Sequence, residues 1–185
     1  MNGVRSKLEC DKVHKMLLKY DVVGLNEVKT SQKISVPGFV SFTSDKCDRK
    51  RGGTVVLVKR CLQSKILSVD TSMKDQVWLR LSPLCNMLIG FCYIPPSDSQ
   101  YFNPYSFSYI QEKVRWSEDE GLGVIVMGDL NSRFGTSVRN ILKRAEIPDS
   151  HTYTYPFIAD PVEGQSNNAS ILITICRDHK LYICE

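Results

Sequence analysis

Val124-Ile125-Val126-Met127-Gly128-Asp129-Leu130-Asn131 is the stretch whose reading decides the fold. Four apolar residues run straight into Gly-Asp-Leu-Asn. A short continuous apolar run bounded by a turn residue predicts a fully buried strand. Gly128 allows a turn that is closed to other residues, so the strand is expected to stop there. Asp129 and Asn131 then stand at the strand's end, where open α/β sheets place their ligands. Asp129 is an ionised acceptor, while Asn131 carries both an amide donor and a carbonyl acceptor. Such a pair can orient a water and hold a phosphate oxygen. The same residue types are also ordinary turn formers, so the stretch acquires meaning only from the rest of the chain.

Upstream, the pattern repeats. Val22-Val23-Gly24-Leu25 reads as a buried strand ending in Asn26-Glu27-Val28-Lys29. Again an apolar strand delivers a carboxylate at its end, which makes Glu27 the natural partner of Asp129. A solvated loop acid, or a salt bridge to Lys29, is the plainer reading. Before that strand, Val13, Met16, Leu17 and Tyr20 fall at i, i+3, i+4 and i+7, one face of an amphipathic helix. After it, Thr54 to Val58 is a β-branched strand, and Ile66 to Val69 is another. Val77, Leu79 and Leu81 alternate with Trp78 and Arg80, which predicts a half-buried strand. Met87 to Ile94 is a further apolar run that Pro95 and Pro96 terminate.

The period then changes. Phe107, Ile110 and Val114 fit a helix after Pro104. The segment 136–145 is expected to be helical, 148–164 is turn-rich, and Ile171, Leu172, Ile175 and Cys176 have helix spacing. Leu181 to Cys184 reads as the start of a strand. Runs of strands with interspersed helices predict an α/β sandwich, two sheets flanked by helices, rather than a simple doubly wound sheet.

The 185 residues are 42% hydrophobic and 24% charged, an ordinary globular composition that suits one domain, 1–185. The formal net charge of +4 permits a nucleic-acid partner without requiring one. Arg49, Lys50 and Arg51 form a basic loop that either meets a phosphate backbone or is a solvated hairpin tip. The seven cysteines are scattered, odd in number and without a C-x-x-C pair, so neither a zinc site nor a disulfide framework is indicated. Reduced, structural thiols in a nuclear or cytoplasmic setting fit. No apolar run spans a membrane, and no apolar signal region opens the chain. Phosphate-loop, dinucleotide and serine-hydrolase signatures are missing.

Three predicted strand ends therefore carry polar groups: Glu27, Tyr93, and Asp129 with Asn131. Leu25-Asn26-Glu27-Val28-Lys29, Gly90-Phe91-Cys92-Tyr93-Ile94-Pro95-Pro96 and Gly128-Asp129-Leu130-Asn131 occur in that order. In this the chain resembles the endonuclease/exonuclease/phosphatase superfamily. It is most similar to the endonuclease domain of non-LTR (LINE-type) retrotransposons, related to apurinic/apyrimidinic endonucleases. Asn2 to Lys7, Gly52 to Val58, Tyr93 to Ser99 and Asn167 to Cys184 look like that subgroup.

The resemblance implies a two-sheet sandwich with Mg²⁺ (or Mn²⁺) at the sheet-end cleft. Glu27 would be the metal-binding carboxylate, an oxygen ligand of the kind Mg²⁺ requires. Asp129 would align or deprotonate the attacking water, Asn131 would hold the scissile phosphate, and Tyr93 would donate to a phosphate oxygen in the transition state. The substrate would be DNA, nicked to leave a free 3′-hydroxyl. The chain would be a monomer, and the resemblance implies a reverse transcriptase domain to which it was formerly joined.

Two departures from the family pattern matter. Its opening Asn would precede Met1. Its late Ser-Asp-His motif has no counterpart in place, because Asp178-His179 sits on the helix after Asn167-Asn168 and ahead of the strand at Leu181. His179 is expected as an exposed residue of that helix. The sandwich is thus expected to be incomplete at both termini, with an open sheet edge and weak nuclease activity. Two alternatives stand beside a Mg²⁺-dependent endonuclease: a catalytically dead nucleic-acid-binding remnant of the same fold, and a superfamily phosphatase acting on a phosphoester outside nucleic acid.

Overall fold

The computed structural model describes residues 7–8, 10–29, 33–45, 52–82, 85–133 and 166–181. The chain divides into two compact units. The first comprises Met1–Ile94 with Asn103–Asp129, and the second Pro95–Phe102 with Leu130–Glu185.

The first unit holds two sheets. One has the strand order β1-β3-β2, built from Val22–Leu25 (β1), Phe39–Thr43 (β2) and Val55–Lys59 (β3), all antiparallel. The other has the order β4-β5-β6-β7, from Ile66–Asp70 (β4), Gln76–Leu81 (β5), Met87–Tyr93 (β6) and Gly123–Asp129 (β7). Its first three strands are antiparallel, and β7 joins β6 in parallel. A parallel neighbour needs a crossover. The helix Tyr105–Asp119 (α2) lies between them in sequence and supplies it.

Period-two alternation explains why the sheets stack. Val56 and Val58 of β3 share one core with Val77 and Leu79 of β5 and with Ile89 and Phe91 of β6. Val55 and Leu57, on the opposite face of β3, share a second core with Leu17 of the helix Asp11–Leu17 (α1). On the far face of the second sheet, Gln76 Nε2 donates to Ser106 O of α2 at 2.9 Å. Arg80 lies over the Trp116 ring at 5.2 Å. The first unit is therefore layered helix, sheet, sheet, helix, the α/β sandwich expected from the order of elements.

Several local expectations change. β5 is buried on both faces, since Trp78 is as enclosed as Val77 and Leu79. Alternation of apolar residues with Trp and Arg suggested an open face, but α2 covers it. In α1, Val13 and Leu17 pack inward, while Met16 and Tyr20 are 51% and 56% exposed. The helix ends at Leu17, so Tyr20 lies beyond it and only the i, i+4 pair faces the core. Strand β2 and the 3₁₀ turn Arg60–Lys65 were not legible in the sequence.

The deciding strand differs as well. β7 runs through Gly128 to Asp129 instead of stopping at the glycine. Among the described residues it is the edge of its sheet, and Ile125 and Met127 are each 39% exposed. An apolar run does not by itself distinguish a central strand from an edge. Gly128 is needed for close approach: its φ is 134°, and a Cβ there would fall on the carbonyl oxygen of Cys92.

In the second unit, helix α3 (Asn167–Asp178) is capped by Ser166, whose Oγ accepts from Ala169 N at 3.2 Å and from Arg133 N at 3.0 Å. A serine N-cap satisfies amides that the helix itself leaves open. Buried Asn168 donates Nδ2 to Pro95 O (3.1 Å) and Leu130 O (3.0 Å). His179 is half-buried at the C-terminal cap rather than exposed on the helix. Lys180 adopts φ 52°, and Leu181 N returns to Cys176 O at 2.8 Å, a Schellman-type closure that takes His179 off the helical face. Segments 136–145 and 148–164 and the strand expected after Leu181 fall outside the described residues.

Among the five described cysteines, Cys10, Cys61 and Cys85 are exposed and only Cys92 and Cys176 are buried. Structural burial thus holds for a minority of them. Burial pushes the Cys92 thiol well up, and that of Cys176 to about 11. No helix among the described residues is long and apolar enough to cross a membrane.

Candidate functional site

The ends of β1, β6 and β7 meet at one end of the first unit. The parallel register places Asp129 directly beside Tyr93, and Ile94 N closes the pair by donating to Asp129 O at 2.9 Å. From the other sheet, the residue pair after β1 reaches the same place. Tyr93 Oη donates to Glu27 Oε1 at 2.6 Å. Glu27 holds a left-handed backbone, φ 55°, uncommon for a residue with a side chain. Gly52 lies so near that a Cβ there would approach Glu27 Cα to 3.3 Å and Tyr93 Cε1 to 3.5 Å. A residue with a side chain at 52 would press on the very pair it borders.

Tyr93 titrates well above the ordinary tyrosine range. Burial contributes most, then the hydrogen bond to Glu27, then the negative charges of Glu27, Asp129 and Asp75. At neutral pH it is a protonated phenol, a donor and not a base. Glu27 and Asp129 are both exposed, so their carboxylates face solvent and a ligand can reach them.

Of the residues singled out from the sequence, Glu27, Tyr93 and Asp129 come together within the first unit. Asn131 belongs to the second unit, where its backbone is left-handed at φ 46°. Arg49, Lys50 and Arg51 lie outside the described residues.

Sequence reasoning missed three neighbours. Thr54, fully buried, has its Oγ1 2.8 Å from Asp75 O and 3.1 Å from Asn26 Oδ1. Asn26 Nδ2 donates to Cys92 O at 3.3 Å. Asp75, at φ 62°, also accepts Tyr93 N at 2.8 Å through its carbonyl. An Asp between Lys74 and Gln76, just ahead of an apolar strand, was a turn signal in the sequence. Nothing in the sequence tied that turn to Tyr93.

These observations agree with a match to a family model. Residues 7–164 match the Endonuclease/Exonuclease/phosphatase family. The chain belongs to that family. No curated protein matches it. The family's chemistry is that of nuclease- and phosphatase-type hydrolases, which generally use divalent metals.

The donor set suits such an ion. Carboxylate oxygens are the ligands of hard cations, and Mg²⁺ is held by one or two carboxylates together with waters and substrate phosphate. Among the described residues, no group of three or more His, Cys, Asp or Glu is arranged to hold a metal ion. Three carboxylates, those of Glu27, Asp75 and Asp129, act on Tyr93.

Proposed function

We propose that this chain is a Mg²⁺-dependent phosphodiesterase that nicks DNA, of the kind carried by non-LTR retrotransposons. The observation that carries the reading is the convergence of Glu27, Tyr93 and Asp129 at the ends of three strands in a chain of this family. Glu27 would hold the cation through its carboxylate oxygens. When bound, the cation offsets the charge on a phosphate oxygen.

Asp129 orients a water and accepts its proton as the water oxygen bonds to phosphorus. The bond from phosphorus to the 3′ oxygen breaks, the leaving oxygen takes a proton from solvent, and a 3′-hydroxyl and a 5′-phosphate result. Tyr93 is a protonated phenol that donates to Glu27 in the absence of substrate; with a phosphate bound, the same proton would turn to the oxygen on which negative charge develops, and such donors act most strongly on the transition state. Arg49, Lys50 and Arg51 draw in the backbone through charge, independent of sequence.

The test is nicking of supercoiled plasmid with Mg²⁺, with Mn²⁺ and with EDTA, for the wild type and for Glu27→Gln and Asp129→Ala. Nicking that needs the metal and is lost in both variants is expected. Release of phosphate from inositol phosphates without nicking would move the chain to the phosphatase branch of its family. Binding of DNA without nicking would make it a non-catalytic remnant.

A further inference from the structure

The 2.6 Å bond between Tyr93 and Glu27 joins two sheets, and neither residue has the means to fix the other's backbone. Each is preceded by a residue of one buried polar network. Asn26 comes before Glu27 and Cys92 before Tyr93, and Asn26 Nδ2 donates to Cys92 O. Tyr93's own amide goes to Asp75 O. The group common to these links is Thr54. Its single hydroxyl proton is shared between Asp75 O at 2.8 Å and Asn26 Oδ1 at 3.1 Å. Its backbone N donates to Ser44 Oγ at 3.1 Å, which anchors it to the residue after β2.

Thr54 is fully buried and so cannot pass these bonds to water. Asn26 and Asp75 lie one residue outside the paired strands, after β1 and before β5, where Asp75 O is held to β6 by the Tyr93 amide and Asn26 is reached by side-chain bonds from Thr54 and to Cys92 O. Glu27 and Asp75 both hold left-handed backbones, conformations that persist only when their surroundings impose them.

We infer that the Thr54 hydroxyl is a positioning residue for the Glu27–Tyr93 pair: it fixes the loops after β1 and before β5 so that phenol and carboxylate meet. The inference rests on the function proposed above for its catalytic consequence, but not for its structural content. A valine at 54 keeps the shape and removes the proton, leaving Asp75 O with one donor fewer and Asn26 Oδ1 without this partner. A serine keeps the proton.

The experiment compares Thr54→Val, Thr54→Ser and Asn26→Ala with the wild type. The first readout is the Tyr93 ¹³Cζ resonance at pH 7, assigned with Tyr93→Phe and referenced to Glu27→Leu, where the bond is absent. The second is plasmid nicking at saturating DNA and metal. Thr54→Val and Asn26→Ala are expected to move the resonance toward the Glu27→Leu position and to lower nicking about tenfold, the scale of a misplaced catalytic group. Thr54→Ser is expected to match the wild type in both. Should Thr54→Val fail to fold, Asn26→Ala, altered at a half-buried loop position, carries the comparison. An unmoved resonance in Thr54→Val or Asn26→Ala would overturn the inference, as would equal losses in the valine and serine variants. Wild-type protein that nicks nothing would overturn the proposed function, while the resonance still decides the role of Thr54.

Discussion

Gly128→Ala tests the geometry on which the site depends. The φ of 134° at this position lies outside the region that residues with a side chain adopt. A Cβ there would fall on Cys92 O and come within 2.9 Å of Cys92 C and 3.0 Å of Cys92 N. All three are backbone atoms of Cys92, the penultimate residue of β6 and paired with both β5 and β7, so no side chain can swing aside. Alanine must therefore separate the ends of β6 and β7. Backbone strain of this sort costs on the order of 1–3 kcal/mol. The Ile94 N to Asp129 O bond at 2.9 Å is the nearest link to be lost, worth about 1 kcal/mol.

The expected total is about 3 kcal/mol, and with a urea m-value of about 2 kcal/mol/M the midpoint falls by roughly 1.5 M. The chain's two tryptophans, Trp78 and Trp116, are both in the first unit. Their fluorescence thus follows that unit alone. Gly121→Ala is the control: φ there is 63°, and a Cβ would meet nothing within 4 Å. It carries only the left-handed penalty of about 1 kcal/mol. Equal midpoints for the two variants would refute the argument, since the collision with Cys92 is what separates them.

Tyr93→Phe removes the donor to Glu27 while keeping the ring, and is expected to slow metal-dependent nicking about 10²-fold with a melting temperature within a few degrees of wild type; unchanged kcat would remove Tyr93 from the chemistry. Asp70 accepts from Tyr109 Oη at 2.5 Å and Ser72 N at 2.9 Å, and pairs with Lys113 at 2.5 Å. Burial alone would raise its carboxyl, but these partners outweigh it and hold it well below the usual range. A depressed folded-state pKa means the stabilisation is complete above the unfolded value of about 3.9 and fades as the pH falls below it. Asp70→Asn is therefore expected to cost stability in urea at pH 7 and progressively less toward pH 2, and a pH-independent difference would contradict this. Asn168→Ala removes the donor shared by Pro95 O and Leu130 O. Amide hydrogen exchange in α3 is expected to accelerate by roughly tenfold or more, from about 2 kcal/mol of lost bonding, and unaltered protection would show that the helix is held elsewhere.

Legibility of this chain divides along a physical line. The fold class was written in the sequence, because each apolar run, Val22–Leu25, Val55–Val58, Met87–Tyr93 and Val124–Met127, becomes a strand wherever it packs. So was the identity of the polar groups near the strand ends, since β6 and β7 end on Tyr93 and Asp129 and β1 ends two residues before Glu27. Local pattern did not reveal which face of each element would be covered. Trp78 and Met16 show this in opposite senses, one enclosed by α2 and the other left in solvent. Nor could it show that β7 would lie at an edge, for the same run serves either place. Thr54, Asn26 and Asp75 were invisible as a group because 21 residues separate Thr54 from Asp75 and 28 separate it from Asn26. The Thr54–Asn26 bond needs β1 paired with β3, and the Thr54–Asp75 bond exists only once the two sheets have stacked; the tertiary structure alone decided that the phenol of Tyr93 would find the carboxylate of Glu27.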